Sequence, residues 1–485
     1  MQTFKNKQPL LILLVTTLSS FLTPFMGSAI NVALPAIAEE FSMTAITLGW
    51  VATSFILAAA ITLIPLGRLA DIYGRRRFFI YGALSFTVAS TFCILAFSPF
   101  LLIAARTAQG IGGAMIFSTG TALLISAYPP EERGTIIGIN TAAVYIGLTV
   151  GPFIGGLLTQ HLGWRYIFLF TMFLGIAIIY ITINWIDADI SDYENEGFDL
   201  TGSLIYAIAL FAVMYGFSLL PETRAAFLIA TGIIFLALFI HQQLRSAFPL
   251  INMQLFIQNR VFAFSNLAAL INYCATFAVT FLLSLYLQHI KRMTPSQTGA
   301  ILFAAPVVQA FLSPFAGKLS DRFEPQIIAS IGMALTVVGL VLLIFLSGKT
   351  PTEYILLSLV LLGIGFAFFS SPNVNATMSS VQKKYYGVAS ATLGTMRLTG
   401  QMCSMGITML IFAVILGDHP LSEANCFLLL KSTKLIFIIL ACICFGGIFA
   451  SLARGKMHSS GGHFLKHHGP SASTGGDAIG NNNRH

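Results

Sequence analysis

The chain has 485 residues, of which 56% are hydrophobic and only 9% charged, and its mean hydropathy is +0.83. Soluble domains carry about 25% charged residues, so too few charges are present to cover a water-soluble globule, and a soluble enzyme is excluded. The formal net charge of +8 does not point to nucleic acid, because in so apolar a chain the placement of Lys and Arg along the membrane spans carries the information.

Apolar runs of about twenty residues recur from Leu10 to Ala453, each long enough to cross a hydrocarbon core about 30 Å thick. The period-two alternation of a membrane barrel is missing, and lipid then permits only helices. The pattern predicts an all-α polytopic membrane protein with 14 transmembrane helices, near 10–37, 44–66, 78–97, 100–127, 134–159, 165–186, 200–220, 224–242, 261–287, 297–317, 326–347, 353–376, 387–417 and 433–453. The first run follows Lys5 and Lys7 but continues to Ile37 without a cleavage site, so it reads as a span rather than a signal peptide. With the N-terminus inside, seventeen of the 26 Lys and Arg fall at the inner side and seven at the outer. That bias predicts both termini in the cytoplasm and a plasma or inner membrane location. The stretch from Asp187 to Asp199, with six acids and no Lys or Arg, departs from the pattern, but acids weigh little in it.

In chain order, the first chemical signal is Asn31-Val32-Ala33-Leu34-Pro35, which closes span one. Spans two and three are joined by Gly67-Arg68-Leu69-Ala70-Asp71-Ile72-Tyr73-Gly74-Arg75-Arg76-Arg77. Gly67 and Gly74 permit close helix approach and a tight turn, and Asp71 can cap a helix or pair with Arg75. The stretch reads as a conformational latch, against the simpler reading of a basic loop that only sets topology. Arg106 lies within span four, where a cation costs at least about 2.5 to 3.5 kcal/mol and faces a cavity or a partner; a structural Arg bonded to backbone carbonyls is the alternative. In span five Gly147, Gly151 and Gly155 recur on one helix face beside Pro152, a bent, closely packing helix suited to a hinge or seal, or to plain packing.

The second part of the chain repeats the first. Gly317-Lys318-Leu319-Ser320-Asp321-Arg322-Phe323 matches Gly67 to Tyr73 at an offset of 250 residues, and Gly387 with Gly400 matches Gly134 with Gly147 at an offset of 253. Near-equal offsets imply a duplicated half, an arrangement that places a substrate cavity at the interface of the repeats. Residues 1–186 form one six-helix bundle, 187–245 an acidic loop with two inserted helices, and 246–456 the second bundle. Residues 457–485, rich in Gly, Ser, Asn and His, form a cytoplasmic tail expected to be disordered. Arg397, on span thirteen, is the other cation at membrane depth. All 18 acids fall in loops, tails or helix ends. Polar candidates for a cavity wall are Asn31, Asn140, Tyr145, Asn266, Asn272, Gln309, Asn373, Asn375 and Gln401. Five of the six cysteines lie in apolar segments and Cys426 near a loop, with no disulfide frame, metal-ligand spacing or cofactor motif.

Four of these stretches together resemble the major facilitator superfamily. Gly67 to Arg77 looks like its signature between helices two and three; Leu101 to Gly110, with Arg106, Gln109 and Gly110, looks like the fourth-helix motif; Gly147 to Gly156 looks like the fifth-helix antiporter motif; and Asn31 to Pro35 is similar to the fourteen-span drug:proton antiporter branch. The resemblance implies two six-helix bundles plus two inserted helices, alternating access and multidrug efflux by proton antiport. That branch often carries an Asp five residues before the Asn of the first motif, where this chain has Met26.

The expected activity is therefore secondary active efflux of drugs or other organic solutes. The expected partners are a small-molecule substrate, membrane lipid and protons, these last exchanging at Asp71, at Glu39 or with the substrate's own charge, and no nucleic acid. A cavity with Arg106 and Arg397 and no acid gives lipophilic cations no counter-charge, so export of an organic anion or metabolite without a buried carboxylate is the alternative. An intramembrane enzyme would need a nucleophile and base on facing helices, whereas His161, His241, His289 and His419 sit in loops or at helix ends. A sensor without transport would have little reason to keep the latch and antiporter motifs.

Overall fold

A computed structural model describes residues 8–129, 132–186, 197–246, 248–251, 253–382, 386–417 and 425–455. Most of the acidic loop, the lysines 383 and 384 and the tail lie outside the described residues, as do the side chains of 133–135, 321 and 387, so the expectations for Asp321 and for the Gly134–Gly387 match are not addressed. Among the described residues fourteen helices are long and apolar enough to cross a membrane: α1 Gln8–Glu40, α2 Ala45–Tyr73, α3 Arg75–Ile94, α4 Pro99–Ala127, α5 Ile136–His161, α6 Arg165–Trp185, α7 Leu200–Leu219, α8 Thr223–Arg245, α9 Arg260–Ile290, α10 Pro295–Ser320, α11 Pro325–Ile344, α12 Thr352–Ser379, α13 Val388–Ile415 and α14 Cys426–Leu452.

Local chemistry explains where these helices begin. Thr44 Oγ1 accepts from the Thr47 amide at 3.2 Å, Ser98 Oγ from Leu101 at 3.3 Å ahead of Pro99, and Thr294 forms a reciprocal capping box with Gln297. Within the spans, hydroxyls such as Thr62 and Ser90 donate back to the carbonyls four residues earlier, at 2.6 and 2.8 Å. In lipid this satisfies those hydroxyls without water.

One boundary differs from expectation in a way that matters. The stretch Gly67 to Tyr73 is not a loop: α2 runs through it to Tyr73, and α3 restarts at Arg75. Leu69, Ala70 and Ile72 are compatible with a helix, and Asp71 salt-bridges Arg75 across the junction at 2.8 Å. The turn falls on Gly74 alone, at φ 113°, which favours glycine. The face of the bundle holding this junction is called the latch face, and the opposite one the far face.

Packing repeats between the halves. The main contacts in the first half pair α1 with α5, α3 with α4, α2 with α4 and α3 with α6; the second half pairs α9 with α13, α11 with α12, α10 with α12 and α11 with α14. The duplication extends to atoms. A Cβ on Gly110 would strike the Phe55 carbonyl oxygen, and one on Gly363, 253 residues later, would strike that of Ala305, 250 residues after Phe55. Gly147 lies against the backbone of Phe21 and Phe25 as Gly400 lies against Leu270 and Cys274. Close backbone approach at small residues supplies the van der Waals contact that holds helices together where water provides no drive.

The halves meet at two symmetry-related seams, α2 with α13 and α5 with α10. The inserted helices break the symmetry. α7 packs against both α13 and α2, with α8 behind it. Tyr206 on α7 donates to the Ala60 carbonyl of α2 at 3.4 Å and lies within hydrogen-bonding reach of Thr399 on α13. Asp199 holds this hairpin at the latch face, accepting from the Gly202 amide at 2.8 Å and from Gln243 Nε2 at 2.7 Å.

A test of the repeated packing follows from the two matched glycines. Gly110→Val and Gly363→Val should each destabilise the protein by about 1 to 3 kcal/mol, the cost of overpacking, seen as a lowered thermal midpoint of detergent-solubilised protein. An unchanged midpoint in both would contradict close packing at these positions.

Candidate functional site

Hydrogen bonds joining the halves cluster toward the far face. Gln288 Nε2 on α9 donates to the Val32 carbonyl of α1 at 2.9 Å, and the Ser296 amide at the start of α10 donates to Gln160 Oε1 at the end of α5 at 3.1 Å. Backbones nearly touch there: a Cβ on Gly156 would strike Pro295, and one on Gly299 would strike Pro152. The far face is thus closed by Pro152 and Gly156. Gly147, Gly151 and Gly155 instead face α1 of their own half, against Phe21, Ser28 and Ala29 respectively. On the latch face Asp71 is engaged by Arg75 of its own half, and Arg76 Nη2 donates to the Thr182 and Ile183 carbonyls at the end of α6, at 3.3 and 3.2 Å. Arg76 caps a helix C-terminus, a role its place in a run of three arginines did not reveal. Gly317 has only ordinary contacts with Ser371, so space alone does not require glycine there.

The two intramembrane arginines turn out to differ in kind. Arg106 is 1% exposed and lies inside the first half. Its Nε donates to the Val51 carbonyl of α2 at 3.2 Å, its Nη1 to Gln109 Oε1, and its guanidinium sits 4.5 Å from the centre of the Phe55 ring. Gln109 in turn donates to Ser90 Oγ on α3 at 2.8 Å. In this conformer Arg106 is thus arranged as in the alternative of a structural arginine bonded to a backbone carbonyl, and the expected coupling or substrate charge at Arg106 is not tested by this geometry. The positions 253 residues after Arg106 and Gln109 are Leu359 and Leu362, and the position 250 after Ser90 is Leu340. The same three-helix packing is therefore built from leucines in the second half, so the polar chain is a departure from the fold's own template.

Arg397 is half-buried on α13. Its guanidinium lies 5.2 Å from the centre of the Phe117 ring on α4 and 6.0 Å from that of Tyr273 on α9, one ring from each half. Beside it Tyr145 on α5 shares a hydrogen bond with Ser370 on α12, at 3.4 Å, and reaches Ser313 on α10. Leu398, the next residue of α13, packs against Ala59, Leu63 and Ala114 of the first half. One cation, three aromatic rings and two hydroxyls from six helices of both halves thus meet at mid-depth. Phe117, Tyr273, Ser313 and Ser370 carry no individual signal in sequence, because aromatic and hydroxyl residues are common in spans.

Other cavity candidates separate by burial. Gln309 and Gln401 are partly exposed. Asn31 and Asn266 are buried and donate to the carbonyls four residues before them, at 3.2 and 2.9 Å; Asn375 donates to Ser320 Oγ at 3.0 Å; Asn140 is 7% exposed. Asn272 is fully buried, and neither amide atom has a partner among the described residues. Asn373 is a packing residue rather than a wall residue: it donates to the Ser265 carbonyl at 3.2 Å and accepts from Arg454 Nη2 at 2.6 Å. Arg454, a basic residue just past the last span, is 1% exposed, and burial pushes its guanidinium down to about 10. Among the described residues no group of three or more His, Cys, Asp or Glu is placed to hold a metal.

Comparison with known proteins agrees with this architecture. The model for the Major Facilitator Superfamily matches residues 16–254 and 266–473. The riboflavin transporter RibZ of Clostridioides difficile is 28% identical over 446 residues, covering 92% of this chain and 97% of its own. The multidrug resistance protein Stp of Mycobacterium tuberculosis is 31% identical over 408 residues, covering 83% and 75%. Among solved structures, a bacterial homologue of the human lysosomal transporter Spinster, in an inward-facing and occupied conformation, superposes with a TM-score of 0.68 at 16% identity, covering 93% of this chain and 98% of its own.

The leucine template gives a direct test of the buried chain. An Arg106→Leu/Gln109→Leu double variant should keep its thermal midpoint within a few degrees of the parent, since α10, α11 and α12 pack with leucines at those places. A collapse of the midpoint, or loss of the monodisperse peak in size exclusion, would show that the network holds the fold.

Proposed function

Because the chain belongs to the major facilitator superfamily, we propose that it is a secondary active exporter of organic solutes, working by rocking of its two halves about a central site at Arg397. The observation that carries this reading is the geometry between the halves. They are bonded across the far face through Gln288 and Val32 and through Ser296 and Gln160, and they frame a partly exposed arginine midway toward the latch face. Alternating access needs a site of this kind, shared by both halves and closed off on one side. The excess of Lys and Arg on the latch-face side supports cytoplasmic termini, and in that orientation a site closed at the far face is an inward-facing one. Relatives named for riboflavin transport and for multidrug resistance support an organic cargo.

The latch supports the same cycle. In the inward-facing conformer Asp71 and Arg75 satisfy each other within one half, and closing the latch face brings the second half against this junction. Asp71→Asn should therefore slow turnover by about tenfold, equivalent to about 1.4 kcal/mol in the barrier, with little change in KM. Weaker substrate binding at an unchanged rate would contradict the latch.

Locking the far face tests the cycle as a whole. Cells producing the protein should accumulate less of a panel of cationic, neutral and anionic dyes than cells producing a Gln160→Cys/Ser296→Cys variant under oxidising conditions, and reductant should abolish the difference by restoring export to the variant. Equal accumulation in all four conditions would overturn the exporter reading.

A further inference from the structure

Arg106 and Arg454 are buried and Arg397 is half-buried at mid-depth, and the three are satisfied in different ways. Arg106 has a backbone carbonyl and Gln109 as acceptors, and Arg454 has Asn373. Arg397 has neither a hydrogen bond nor an ion pair among the described residues; its guanidinium meets only the faces of Phe117 and Tyr273. No acid of the chain lies within a span away from its ends. The position 253 residues before Arg397 is Val144, at the matching place on α5, so packing of this helix pair does not call for a cation.

A guanidinium with aromatic faces around it and its N–H donors unspent is half of a recognition site. Ring faces offset part of the cost of keeping the charge out of water but give the N–H groups no acceptor. Carboxylates, sulfonates and phosphates match the guanidinium fork with two parallel hydrogen bonds. Aromatic side chains and the apolar cluster around Leu398 offer a surface for a planar or apolar body, and the Tyr145–Ser370 hydroxyls a place for a further polar group.

We propose that Arg397 is the anion-binding residue of the central site and that the cargo is an organic anion with an aromatic or apolar body. This rests on the exporter reading and names its substrate class. A kinetic signature follows. During reorientation the site is shut off from water on both sides, and without an anion a lone charge would be shut in with it. The loaded protein thus reorients faster than the empty one, and anion-for-anion exchange outruns net efflux. The substrate's own charge then takes the place of an intramembrane carboxylate in coupling.

Purified full-length protein in liposomes tests this with two probes that share a ring system and carry fixed opposite charges, 2-naphthalenesulfonate and 2-naphthyltrimethylammonium, with protein-free liposomes subtracted. The sulfonate should move at least about tenfold faster than the ammonium compound, a difference of about 1.4 kcal/mol. Sulfonate on the opposite side should accelerate its release several-fold. Arg397→Gln should abolish the preference while eluting as monodisperse protein, and Arg397→Lys, which keeps the charge but loses the fork, should retain only part of it. A preference for the ammonium probe, a preference that survives Arg397→Gln, or no protein-dependent movement of the sulfonate would overturn the proposal. Export of the dye panel from cells together with any of those results would leave the exporter reading standing and remove only the anion assignment.

Discussion

A guanidinium held among apolar side chains must find electron density for its N–H groups, and the buried Arg106 and Arg454 and the half-buried Arg397 find it differently. Arg106 draws on a helix carbonyl, a glutamine and a phenyl ring, Arg454 on the side chain of Asn373, and Arg397 on two aromatic faces alone. The order of these arrangements is also an order of mobility. The first two lie inside single halves and move with them as rigid bodies. In the proposed rocking cycle Arg397 stands between halves that shift against each other, so its surroundings are remade each time. A residue in that position is served better by a ligand that arrives and leaves than by a fixed partner, because a fixed partner would have to be surrendered each time the halves part.

Much of the architecture was legible in the sequence because it depends on properties that are additive along the chain. Hydropathy over twenty residues fixes the number of spans, and the offsets of 250 and 253 residues between glycine motifs reappear as matched backbone contacts at Gly110 and Gly363 and at Gly147 and Gly400. The site was less legible, since hydropathy reports depth and not direction. Arg106 and Arg397 look alike on that measure, yet one points into a three-helix junction and the other into the space between halves. Asn373 and Arg454 are 81 residues apart and meet only through the packing of α12 beside the end of α14. The latch motif looked like a loop because glycines flank it. In the folded chain Gly74 makes the turn and Gly67 remains helical, its missing Cβ letting Ser118 of α4 come close.

Duplication supplies an internal control for what is structural and what is added. Where both halves carry glycine inside the bundles, as at Gly110 with Gly363 and Gly147 with Gly400, close approach is the requirement. Where one half carries Arg106, Gln109 and Ser90 and the other Leu359, Leu362 and Leu340, the common packing needs only volume, and the polar groups answer to something else. Val144 and Arg397 form another such unequal pair. In these unequal pairs the difference is one of hydrogen-bonding capacity and charge, while the matched glycines share a demand of shape. The fold thus separates the two demands made on it.

The inserted hairpin extends asymmetry to the molecule's outline. α7 lies along α2 and α13 and joins them at Tyr206, whereas among the described residues neither inserted helix packs closely against α5 or α10. One seam is bound like the spine of a book, and the other is the fore-edge. The spine carries a third helix across its seam, and among the described residues the fore-edge, between α5 and α10, carries no inserted helix. An amphiphile that reaches the central site sideways, out of the bilayer, has one direction of approach.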